Sequence, residues 1–183
     1  MIRTLSSRAV AHVALGFVLL ASLLAACTGP IAVNTRTSED ARLADYAAFR
    51  LTVEPGEGAD ADRDGIPLGL LEREAAALIQ ERGYRAGDDP TVGVTLRLTA
   101  APERVVRRTW SADPGYNGYV EREREEGVLT LAAIDDLRRV EVWRGESRVR
   151  LPEPGRVVGP SREAVWMDAL AELIARMPAR ESD

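Results

Sequence analysis

Lysine is absent from this 183-residue chain, and histidine and cysteine occur once each, as His12 and Cys27. Everything beyond Cys27 therefore lacks an imidazole, an amine side chain and a thiol to act as general base, nucleophile or soft metal ligand. Serine triads, cysteine proteases, zinc hydrolases and Schiff-base enzymes are excluded by subtraction. The serines beyond Cys27 (Ser38, Ser111, Ser147, Ser161 and Ser182) have no conventional partner to activate them. Carboxylate-pair chemistry of the glycosidase kind is the one class that passes this test. A single cysteine also forbids an internal disulfide, so stability must come from packing. There is no cofactor motif, internal repeat or low-complexity segment. The net charge is −5, with acids and arginines interspersed, which argues against a nucleic-acid partner. Basic residues that are all arginine read as genomic base composition.

What is present at the start of the chain is an export signal. Arg3 and Arg8 precede an apolar run from Val13 to Ala26, too short for a membrane-spanning helix of about 20 residues. The run ends in Leu24-Ala25-Ala26-Cys27, a lipobox. Cleavage between Ala26 and Cys27 would leave Cys27 as the lipid-attachment residue and discard His12. Each buried methylene of an acyl chain contributes about 0.8 kcal/mol, so more than one chain holds a protein firmly on a bilayer. Thr28 follows Cys27, where an aspartate would favour inner-membrane retention, so the periplasmic face of the outer membrane is expected. Without its signal the chain keeps about 157 residues, one domain by size.

Hydrophobic periodicity outlines that domain. Residues 27–41 are polar and unpatterned and are expected to form an acylated flexible tether, followed by a single domain over 42–178 and a disordered tail over 179–183. Asp45 to Val53 reads as a strand ended by Pro55-Gly56. Leu70, Leu71, Ala75, Leu78 and Ile79 share one helical face, and Gly83 sits where a left-handed residue would close the helix. Val92, Val94, Leu96 and Leu98 alternate with Gly93, Thr95, Arg97 and Thr99, the pattern of a half-buried strand. Residues 101–126 are harder, with a short strand at Val105-Val106, a turn-rich stretch near Asp113 to Tyr119, and a charge run from Glu121 whose signs alternate as in an exposed strand edge. Val128–Ile134 and Arg139–Leu151 read as an antiparallel hairpin. Pro160-Ser161 begins a helix striped by Val165, Trp166, Ala169, Leu170, Leu173, Ile174 and Met177, and Pro178 stops it. The expected fold is α+β in two layers: one mostly antiparallel sheet of four to five strands, with two helices on one face.

Several short motifs stand in a telling order. Asp45-Tyr46-Ala47-Ala48-Phe49-Arg50 opens the first strand, Gly83-Tyr84 ends the first helix, and Asp136 precedes Val142-Trp143-Arg144-Gly145 in the late hairpin. Behind a lipobox, this set resembles a bacterial lipoprotein family, domain of unknown function 4136, over about residues 42–178. The resemblance implies a fold and an envelope location, and no activity.

Two constellations remain. Asp60, Asp62 and Asp64, with Gly65 and Ile66 after them, have the spacing of positions one, three, five, six and seven of a calcium loop, but Leu71 stands where a bidentate glutamate belongs. The plain alternative is a solvated acidic loop before a helix N-terminus. Trp143 and Trp166 are patterned to face the core, whereas Trp110, Tyr116 and Tyr119 cluster around a turn and can mark a partner surface. The sequence thus leads to a non-enzymatic binding or scaffolding module held on the membrane through lipid on Cys27, with an envelope protein or glycan as partner and no required cofactor. The alternatives are a structural envelope protein stabilised by Ca2+ and a carboxylate-dependent glycan hydrolase.

Overall fold

The computed structural model describes residues 31–39, 42–87, 93–111, 118–153 and 158–180. The strands are β1 (Ala32–Thr37), β2 (Ala48–Pro55), β3 (Arg85–Ala86), β4 (Gly93–Ser111), β5 (Gly118–Asp135) and β6 (Glu141–Arg150). The helices are α1 (Ala61–Asp64), α2 (Leu68–Glu81) and α3 (Arg162–Ala175), with one 3-10 turn at Leu43–Asp45. They build an α+β fold around one open, mixed six-stranded sheet in the order β1-β6-β5-β4-β2-β3.

The core lies between one face of the sheet and α2 with α3. On β4, Val94, Leu96, Leu98 and Ala100 point into it, and on β5 Leu129, Leu131 and Ala133 do, all fully buried. Helix α2 buries Leu71, Ala75 and Ile79, residues spaced by four that stack along one stripe. Helix α3 is capped by the Ser161 hydroxyl, which accepts from the Ala164 N–H at 3.1 Å, and buries the predicted stripe from Val165 to Ile174. Trp143 and Trp166 are both buried, as their pattern required. Two glycines make room for them. A Cβ on Gly127 would lie 2.8 Å from the Trp166 ring, and one on Gly145 would lie 2.6 Å from the Trp143 ring and 2.7 Å from Leu173.

Four expectations need correction. The sheet is larger than four to five strands and is mixed, because β2 pairs in parallel with both β3 and β4. Helix α2 lies between β2 and β4 in sequence, and a strand–helix–strand crossover returns the chain in its original direction. Residues 32–37, expected within the tether, form β1 and pair antiparallel with β6 from Ala32↔Arg148 to Thr37↔Trp143. Their β-branched residues cover an edge that would otherwise leave its peptide groups unpaired. The stretch around Val105-Val106 and the charge run from Glu121 belong to β4 and β5, which stay paired out to Ser111↔Gly118. Finally, the tail is held as far as Arg180, whose N–H bonds the Arg82 carbonyl at 2.9 Å, while the Tyr84 hydroxyl bonds the Pro178 carbonyl at 2.9 Å. Gly83 has φ +91°, the left-handed residue expected after α2, and its missing Cβ leaves room for the Arg180 carbonyl.

The packing gives a pair of mutations of opposite sign. Gly145→Ala should destabilise the fold by about 1–3 kcal/mol through overpacking against Trp143 and Leu173. Gly69→Ala, in the first turn of α2 with only the far end of the Arg73 side chain nearby, should stabilise it by about 0.4–1 kcal/mol. Urea unfolding of both variants beside the wild type checks the signs.

Candidate functional site

The β4–β5 pair outruns the rest of the sheet. Strand β2 leaves β4 at Pro55↔Ala100, and β6 leaves β5 at Arg150↔Glu126. Beyond those points β4 and β5 continue alone as a two-stranded ribbon to Ser111↔Gly118. From Val128, where β6 still flanks β5, to Tyr119 in the free ribbon, the β4–β5 pair rises roughly 30 Å at about 3.3 Å per residue. Its backbone ladder is continuous with the packed sheet at its base, which supports a strand pair that would be marginal alone.

The base is tied down by charge. Arg162, at the start of α3, forms a two-pronged pair with Glu125, with N–O distances of 2.8 and 3.0 Å, and also donates to the carbonyls of Pro152 and Asp64. The Glu125 carboxyl is accordingly held below the usual carboxylate range, first by its hydrogen bond from Arg162. On the opposite ribbon face, the buried Glu126 pairs with Arg124 and lies 3.9 Å from Arg107. Further out, Arg108 meets Glu121 at 2.6 Å and Arg104 meets Glu123 at 3.7 Å. Such exposed pairs contribute about 0–1 kcal/mol each, so they keep the ribbon neutral and in register more than they stabilise it.

The tip is different. Trp110 and Tyr119 are cross-strand partners whose ring centroids lie 5.1 Å apart at 83°, an edge-to-face pair. They are 58 % and 66 % exposed, and Val106 on the same ribbon face is 59 % exposed. Between Thr109 and Ser111, and between Gly118 and Val120, no residue carries a charge. The sequence grouped Trp110 with Tyr116 and Tyr119 around a turn. The structure brings Trp110 and Tyr119 together, while Tyr116 lies outside the described residues, as do Ala26 and Cys27.

The acidic stretch adopts another arrangement from a calcium loop. Asp60 caps α1, its carboxylate accepting from the Arg63 N–H at 2.8 Å, and Asp64 accepts from the Asp60 N–H at 2.9 Å and pairs with the Arg63 guanidinium. Asp62 is exposed. The Asp64 carboxyl is pulled down to about 2, first by its bond to Arg63 and then by the Asp60 N–H. Among the described residues, no three metal-ligating side chains converge.

The sheet face away from the helices is polar. Arg36, Arg144 and Arg97 stand in one cross-strand row around the buried Ala132. Asn34, Thr35, Arg36, Arg144 and Glu146 line a shallow depression of about 150 Å³. That is below the roughly 300–1,000 Å³ of a small-molecule pocket.

At the other end of β5, Asp135 organises the hairpin turn into β6. Its carboxylate accepts from the N–H groups of Leu137 and Arg138, both at 2.8 Å, and from the Tyr46 hydroxyl at 2.7 Å. Arg139, at φ 59°, then turns the chain back. The Asp135 carboxyl is held below its usual range, first by the Arg138 N–H and then by Tyr46, while desolvation and Asp135 push Tyr46 up to about 12. A hydrolytic carboxylate pair needs two groups within about 10 Å and one acid with a raised pKa. The buried carboxylates Glu126, midway along β5, and Asp135, at its end, stand nine residues apart, roughly 30 Å by strand rise. The resolved carboxyl shifts, at Asp64, Glu125 and Asp135, are all downward.

No family model matches this chain, and no curated protein does. Among solved structures it is similar to a PelC dodecamer from Paraburkholderia phytofirmans, with 14% identity and TM-score 0.48 over 82% of this chain and 100% of that one. It is also similar to a PDZ domain protein from Parabacteroides distasonis, with 10% identity and TM-score 0.46 over 87% and 38%. A minor lipoprotein from Acinetobacter baumannii gives 14% identity and TM-score 0.36 over 72% and 88%. With these TM-scores below 0.5, the likenesses carry no argument about what the chain does.

Two measurements test these carboxylates. Because Asp135 titrates below an unfolded carboxyl of about 4, its stabilisation is complete above that pH and is lost as pH falls through its lowered folded value. Asp135→Asn should cost about 1–2 kcal/mol at neutral pH and flatten the acid limb of a pH–stability curve without abolishing it, since Asp64 and Glu125 act in the same direction. The second concerns Asp60, Asp62 and Asp64: melting temperatures in millimolar Ca2+ and in chelator should coincide, and a rise with Ca2+ would restore the calcium-clip reading.

Proposed function

We propose that this chain is a lipid-anchored protein of the periplasmic cell envelope that works by contact rather than catalysis, with the β4–β5 ribbon as its binding or scaffolding element. One observation carries the reading. The ribbon presents Trp110 and Tyr119 to solvent on a strand pair that the hydrophobic core does not require. Large aromatics held away from a core by a rigid ladder are suited to engage a second surface, since they bring apolar area at little conformational cost. The missing imidazole, amine and thiol, and the lowered pKa values of the shifted carboxyls, support a non-enzymatic role. The lipobox at Leu24–Cys27 supports the anchor. Among the described residues no helix is long and apolar enough to cross a membrane, which leaves the lipid as the anchor in this reading.

Mass spectrometry of the mature protein should find an N-terminus at Cys27 carrying acyl mass, and Cys27→Ala should remove that mass. A photo-crosslinking residue at position 110 should give covalent adducts in cells, and one at the polar-face position 97 should give few. Turnover of a glycan by the purified protein, lost on a single carboxylate substitution, would overturn the contact reading.

A further inference from the structure

The geometry points to the surface of the anchoring bilayer itself as the partner of the ribbon tip: Trp110 and Tyr119 dock in the headgroup region of the membrane that holds Cys27. This rests on the lipid-anchor reading and names the partner of the same site.

Strand direction sets the orientation of the anchor. β1 is antiparallel to β6, and β6 is antiparallel to β5, so β1 and β5 run the same way. Strand β5 starts at the ribbon tip and runs into the body, so the N-terminal end of β1 lies at the ribbon end of the sheet. The register makes this concrete, since Ala32 pairs with Arg148 and Arg148 pairs with Val128. The described chain therefore begins, at Ile31, on the side of the body toward which the ribbon projects. Ile31 and Val33 pack against the hydrophobic core, so the departure point is fixed to the body.

Lengths decide where the tip can sit. From Ala32 back to Cys27 the chain spans at most roughly 17 Å when fully extended. The ribbon rises roughly 30 Å from the same level, from Val128 to Tyr119. A body held at the bilayer by Cys27 thus cannot point its ribbon at the membrane and keep the tip in water. With the ribbon turned toward the bilayer, the tip therefore reaches the headgroups, and this is the posture proposed. The tip's chemistry fits that place. Trp and Tyr favour the membrane–water interface, where an apolar ring and a polar edge are both accommodated. The described tip residues carry no charge, and the nearest charges along the strands among the described residues, Arg108 and Glu121, pair at 2.6 Å. This placement gives the exposed Trp110–Tyr119 pair a surface to meet.

The test uses full-length acylated protein reconstituted into phosphatidylethanolamine–phosphatidylglycerol vesicles, with and without brominated acyl chains, reading tryptophan emission. Trp143 and Trp166 are buried in the core and serve as an internal background. The expected result is co-flotation with vesicles and loss of roughly a quarter to a third of the emission with brominated lipid, a loss absent in Trp110→Phe. Acrylamide should quench Trp110 less on vesicles than in detergent-free buffer. Co-flotation with no bromine quenching of Trp110 would overturn the docking proposal and leave the anchor standing. Trp110 shielded from both bromine and acrylamide would place it against protein, and also overturn it. Failure to co-float, with no acyl mass, would overturn the anchor reading and this proposal together. Trp110→Phe should melt with the wild type, which keeps the comparison free of folding effects.

Discussion

The eighteen-pair antiparallel ladder between β4 and β5 is the constraint on which the rest of the molecule depends. Its inner half is a conventional sheet centre, with Val94, Leu96, Leu98 and Ala100 facing Leu129, Leu131 and Ala133 under two helices. Its outer half has no helix, no flanking strand and no buried face among the described residues. The two halves share one hydrogen-bonding register, so the packed core fixes the geometry of an arm it does not touch. Arg162 strengthens that link, because a residue at the start of α3 grips Glu125 at the root of the ribbon while also contacting the segments before α2 and after β6. The register set in the core thereby places the aromatic pair at the tip opposite each other.

Where burial imposes a period, the sequence was readable. The alternation through β4, the stripes of α2 and α3, the inward Trp143 and Trp166 and the left-handed Gly83 all follow from one face meeting a core. Where burial is absent, so is the signal. Asn34, Thr35, Arg36 and Thr37 are exposed along an edge strand, and nothing but pairing with β6 reveals that they are not a tether. The length of the ribbon is hidden for the same reason, since Arg104, Arg107, Arg108 and Glu121 to Glu123 are solvated, and the sequence shows only a short strand at Val105-Val106 and a charged strand edge from Glu121. The parallel pairing of β2 with β4 depends on a crossover through α2, a tertiary choice that no local pattern encodes.

The candidate site was half visible. Trp110 and Tyr119 stand out as aromatics in a polar, turn-rich stretch, but their edge-to-face contact exists only because the ladder places them opposite each other. The acidic stretch was ambiguous in the sequence, whose spacing allowed either a cation loop or a solvated acidic loop before a helix, and in the structure Asp60 caps a helical turn while Asp64 pairs with Arg63.

Joining β1 to the sheet changes the picture of the molecule more than any other feature, because it limits the link between Cys27 and the body to roughly 17 Å at most and places its attachment at the ribbon end of the sheet. Neutron reflectometry of the acylated protein on a supported bilayer tests that account most directly. It predicts protein density continuous with the headgroup layer and a body held within roughly 30 Å of it, the height of the ribbon. A water layer separating all protein density from the headgroups would contradict it.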